Sequence, residues 1–169
     1  MKEIARQMKS VTKQMFGNQR MPREEIMVLP HRELDALVAK YIEGLPVVWG
    51  PDPYRVPDRR LTDHHAWVNG TVDGRHYDWE PVKRYSSEWG ATQRVVKAMS
   101  QHGLGLHLCS GFPPSNPPRT GLVYYADFGP LNCLDWKGLP EHGMQGEDVP
   151  LVVVRAALWA LAESAKSNL

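Results

Sequence analysis

Ile4, Met8, Val11 and Met15 recur at spacings of four, three and four. That is one narrow stripe of an amphipathic helix over residues 3–16, ended by Gly17-Asn18. A stripe this narrow gives a lone helix little stability in water, so the segment needs the body of the protein or a partner to pack on. Leu34, Leu37, Val38, Tyr41 and Ile42 form one apolar face and predict a second helix over residues 30–42. Pro30 suits its first turn and Gly44 its left-handed stop. A third helix is expected from Ser86 or Ser87, either of which can cap it, to about Gln101. Trp89, Val96 and Met99 would face inward, and Gly103 would stop the helix. The last helix opens with Asp148 as cap and Pro150 in the first turn, and runs to about Ser164. Its middle, LVVVRAALWALA, is apolar nearly all round with Arg155 as its sole charge, the mark of a central, buried helix.

Between the helices the rhythm changes. Residues 104–109 alternate strictly, leucines on one face and Gly105, His107 and Cys109 on the other, which predicts a strand. Residues 122–128 are the next strand, antiparallel to the first across the loop 112–121, where the prolines of the 113–118 run stiffen the connection. Residues 45–85 read as a long Pro-rich and aromatic-rich connection, with Pro46, Pro51, Pro53 and Pro57 against regular structure in its first half. Within it, residues 67–72 and 76–79 make a hairpin on the Asp73-Gly74 turn. Residues 129–147 are Gly-rich and read as irregular. The expectation is a single α/β domain of the α+β type with a small, mainly antiparallel sheet over residues 24–169, preceded by an arm, residues 1–23.

Composition narrows the class. At 169 residues the chain suits one domain. Its two cysteines, Cys109 and Cys133, make no disulfide framework and read as reduced thiols of a cytosol. The first ten residues contain no apolar signal-peptide run, and residues 149–162 are too short to span a bilayer and are broken by Arg155. A soluble chain without a membrane partner is therefore expected. The net charge of +1 is unevenly placed. Residues 1–23 hold six cations (Lys2, Arg6, Lys9, Lys13, Arg20 and Arg23) against Glu3, a net +5 that leaves the remainder at −4.

Three segments carry a resemblance: RELDALVAKYIEG (residues 32–44), RYSSEWGATQRVVKAM (84–99) and EDVPLVVVRAALWAL (147–161). In their order, and in the Tyr-Ser pair before a helix with paired valines, the chain resembles the phage ABA sandwich domain, a family of small phage and prophage proteins. The resemblance implies a three-layer α-β-α sandwich, here with an extra N-terminal helix, and a life in the host cytoplasm. It brings no catalytic residues with it.

Several features invite chemical readings. His64, His65, His76, His107 and Cys109 are candidate metal ligands, but they lack the paired spacings of zinc sites, and scattered polar histidines are the commoner case. Cys109 with His107 or His102 is a candidate nucleophile pair, against the usual fate of a strand cysteine as a small buried hydrophobe. GxSxG, HEXXH and the P-loop are absent from the sequence. Tyr54, Arg59, Arg60 and Trp67 share one loop and have the composition of a contact surface. Arg6, Lys9 and Lys13 on the arm suit a solvated face, phosphate contacts to nucleic acid, or docking on a protein through the apolar stripe, and the last ranks first. The leading expectation is a non-enzymatic bacteriophage accessory protein without cofactor. It would bind a host protein or complex and inhibit a bacterial defence component, as an anti-CRISPR does. A small-molecule or nucleotide-binding protein is the alternative, a metal-dependent enzyme using His and Cys the second alternative, and homo-oligomerisation is left open.

Overall fold

The most apolar segment of the chain forms the helix around which the others pack. The computed structural model describes residues 21–50, 65–111, 122–130 and 143–166. In chain order these form α1 (Arg23–Val28), α2 (His31–Tyr41), β1 (Val47–Gly50), β2 (His65–Val72), β3 (Arg75–Pro81), α3 (Trp89–Gln101), β4 (Leu104–Gly111), β5 (Val123–Pro130), β6 (Met144–Gly146) and α4 (Val149–Lys166). Val152, Val153, Val154, Ala157 and Leu158 are all buried, while Leu151, Arg155 and Trp159, spaced four apart on one face of α4, are half-buried. It lies against β5, β6 and the other three helices. Asp148 caps it, its Oδ1 accepting the N–H of Leu151 at 3.3 Å. Gly146 lets β6 come close, since a Cβ there would stand 2.8 Å from Cγ2 of Val152. Arg155 Nε is buried without an acceptor among the described residues, and desolvation lowers the guanidinium pKa.

Helices and antiparallel strands make the mixed α+β architecture that the residue pattern predicts. The strands divide between two three-stranded sheets, β1-β2-β3 and β4-β5-β6. α2 packs on the first sheet, while α3 and α4 pack on the second. The connection 45–85 is more regular than its prolines suggest: β1 pairs with β2, and the Asp73-Gly74 hairpin forms. β6 likewise falls within a stretch read as irregular. Short strands of this kind are stabilised by pairing with distant partners, which local composition does not encode.

β3 carries a bulge. Gly70 pairs with Tyr77 and Val68 with Glu80, so Asp78 and Trp79 oppose Asn69 alone. Trp79 adopts φ +51, rare for a bulky residue. The bulge redirects the strand just before it leaves the sheet at Pro81 and enters the turn leading to α3.

Candidate anion-binding cleft

The turn between β3 and α3, residues 82–88, is held against α2 by polar contacts. Asp35, 1% exposed on α2, accepts the backbone N–H of Ser86 at 2.8 Å and an N–H of Arg32 at 3.1 Å. The same Arg32 nitrogen donates to the carbonyl of Val82 at 3.1 Å. His31 Nδ1 lies 2.9 Å from the Ser86 hydroxyl, which is also 3.3 Å from the carbonyl of His31. Tyr85 is buried, and its hydroxyl donates to Glu43 at 2.5 Å. Arg94 on α3 donates its Nε–H to the other Glu43 oxygen at 2.7 Å. Thr92 closes the turn by donating to the carbonyl of Tyr85 at 2.6 Å. Burial, followed by the hydrogen bond and charge of Glu43, pushes the Tyr85 pKa far above its ordinary value. The bond to Glu43 raises that of Arg94.

These contacts build one wall of an open cleft of about 780 Å³ whose lining includes Arg32, Lys83, Arg84, Arg94, Glu88 and Gly90. Arg32 and Arg94 are anchored by carboxylates and keep further N–H donors without protein partners among the described residues. Lys83 and Arg84 are exposed and have no acidic partner among the described residues. The first turn of α3 adds backbone donors. Its N-cap Glu88 makes no side-chain cap, and no acid stands in that turn. The carbonyl of Glu88 takes the N–H groups of Ala91 and Thr92, which leaves those of Trp89 and Gly90 ahead of the helical ladder. Trp89 is 43% exposed, between two lining residues. Fixed guanidiniums, two cations without acidic partners among the described residues and a helix N-terminus are groups that attract an anion, set against the one carboxylate of the lining, Glu88.

His31 and Ser86 invite comparison with a catalytic pair, but Ser86 is 0% exposed and Asp35 holds its backbone rather than the imidazole. The pair is a clamp between α2 and the turn.

Most residues expected at a contact surface, namely Tyr54, Arg59, Arg60, Arg6, Lys9 and Lys13, lie outside the described residues. Trp67 is described, and at 7% exposed it is nearly covered on β2, with little of its ring available to a partner. Trp89, expected to face inward, stands on the surface. The α3 cap expected from Ser86 or Ser87 falls to Glu88 instead, because Ser86 is spent on α2. Cys109 is exposed, not a buried hydrophobe: its neighbours Leu108 and Ser110, on the opposite face, are exposed too, so neither face of β4 is covered at this end among the described residues. Among the described residues no group of three or more His, Cys, Asp or Glu side chains converges as for a metal, and no helix is long and apolar enough to cross a membrane.

Sequence reading missed the cleft. Its one local signal is the adjacent cations Lys83-Arg84 ahead of a helix start. Comparison with family models, curated proteins and solved structures finds no match. Two of the three segments that carry the phage-domain resemblance, residues 32–44 and 84–99, are those that the Asp35–Ser86 and Glu43–Tyr85–Arg94 contacts join.

Proposed function

We propose that the protein is a non-enzymatic binding protein that captures a phosphorylated small molecule, a nucleotide in particular, in the cleft beside α3. The observation that carries this reading is the set of four cations around one cleft, two anchored by carboxylates behind the wall and two without acidic partners. Guanidinium and ammonium groups stay charged at neutral pH, so they bind and orient an anion rather than exchange protons with it. The exposed indole of Trp89, outside the lining but adjacent in the chain to Glu88 and Gly90, is the group on which the base of a nucleotide would stack. Binding of this kind removes the captured molecule from solution. That gives the expected inhibition of host defence a small-molecule target. A thermal-shift panel of nucleoside mono-, di- and triphosphates tests the reading. A ligand at a hundred times its Kd stabilises the fold by about 2.7 kcal/mol. Replacing Lys83 and Arg84 together by Ala should abolish the shift without lowering the Tm of the free protein. A panel in which no nucleotide raises the Tm defeats the reading.

A further inference from the structure

A second groove, of about 590 Å³, runs along another face of α2. Most of its lining is apolar: Met21, Leu29, Ala36, Leu37, Val47 and Trp49. Trp49 is 48% exposed, which leaves half of a large apolar side chain in water. Glu25, Glu33 and Lys40 complete the lining, and neither acid has an ion-pair partner among the described residues.

We propose that this groove is the docking site of the chain's own N-terminal segment, residues 3–16, seated as an amphipathic helix. Three observations argue for that occupant. The described residues begin at Met21, which itself lines the groove, so the preceding residues start beside it. Residues 17–20 reach at most about 14 Å, which keeps the C-terminal turn of such a helix beside the groove. Ile4, Met8, Val11 and Met15 form a single stripe, wide enough for one groove and no wider, and fourteen residues of helix span about 21 Å. Seated stripe-down, the helix turns Arg6, Lys9 and Lys13 outward into water, where their charge costs nothing. The two acids of the lining outnumber its one cation, Lys40, and attract a segment of opposite net charge at long range. An isolated helix of this length is marginal, so stable helical structure in residues 3–16 reports docking.

Hydrogen exchange of the full chain, followed peptide by peptide, tests this. Amides of residues 4–16 should exchange at least tenfold more slowly than those of residues 17–20. Both Trp49→Ser, at an exposed lining position, and the pair Met8→Ser with Val11→Ser on the stripe should remove that protection while leaving α4 protected. An unprotected segment in the unaltered chain overturns the proposal. So does protection that persists in both variants, or protection that grows with protein concentration, which would assign the groove to a second copy. None of these outcomes bears on nucleotide binding in the other cleft.

Discussion

Gly90→Glu separates the proposed cleft from ordinary surface. Gly90 is the second residue of α3, and a Cβ built there meets no atom within 4 Å. Replacing Gly within a helix gains about 0.5 kcal/mol from backbone propensity. An acid in a first turn that holds none adds about 0.3–1 kcal/mol through the helix dipole. The sum, about 1 kcal/mol, predicts a Tm higher by about 2–4 °C for a chain of this size. The same carboxylate stands where a bound phosphate would sit. Two like charges about 6 Å apart repel by about 3 kcal/mol at an effective dielectric of 20. Solvent in an open cleft halves this to about 1.4 kcal/mol, a tenfold loss of affinity, and a doubly charged phosphate doubles the effect. Calorimetric titration with ADP and with inorganic pyrophosphate, beside a thermal melt, reads both quantities. The reasoning predicts a more stable protein that binds at least tenfold more weakly. Unchanged affinity in a variant of equal or higher Tm would refute it, because no loss of folding could then be blamed.

Two further substitutions test the wall that holds the cleft, and a third tests the close approach of β6 to α4. Asp35→Ala leaves the Ser86 N–H and Arg32 without their acceptor, and urea unfolding should show a loss of about 2–3 kcal/mol; a loss under 0.5 kcal/mol would mean that the turn is held by packing alone. Tyr85 sets a pH dependence. Its hydroxyl stays protonated in the folded protein well above the ordinary value of 10.0, so its contribution is complete below pH 10 and declines above it, by about 1.4 kcal/mol per pH unit as the unfolded chain ionises. Tyr85→Phe should cost about 1–2 kcal/mol at pH 7 and flatten the stability profile between pH 10 and 11, which melts across that range will read. Gly146→Ala forces a methyl to within 2.8 Å of Val152 and should cost about 1–3 kcal/mol in urea unfolding; no loss would show that β6 can move away from α4.

The elements follow largely from local patterns. The apolar run at residues 151–162 gives the central helix, buried over most of its circumference with Leu151, Arg155 and Trp159 half-buried along one stripe. The stripe from Leu34 to Ile42 orients α2, and Asp73-Gly74 turns the hairpin with Asp73 at φ +48 and Gly74 at φ +77. Strict alternation locates β4, though its end at Leu108 and Cys109 is exposed on both faces, because whether another layer covers a strand is a fact of packing. The serines before α3 were ambiguous for a similar reason. A serine is an equally good cap or a buried link, and the choice rests on whether another helix comes within hydrogen-bond reach.

What the sequence determined alone is the class: helices and antiparallel strands around one central apolar helix. Periodicity suffices for this, because it acts over a few residues and states which side of an element must leave water. The cleft was decided by tertiary structure. Arg32 and Arg94 are separated by more than sixty residues, and each is an unremarked cation on its own helix until Asp35, Glu43, Tyr85 and Ser86 bind the two helices to one turn. Charge becomes a site only where the fold holds several like groups close together against their own repulsion, and that closeness is a property of three dimensions.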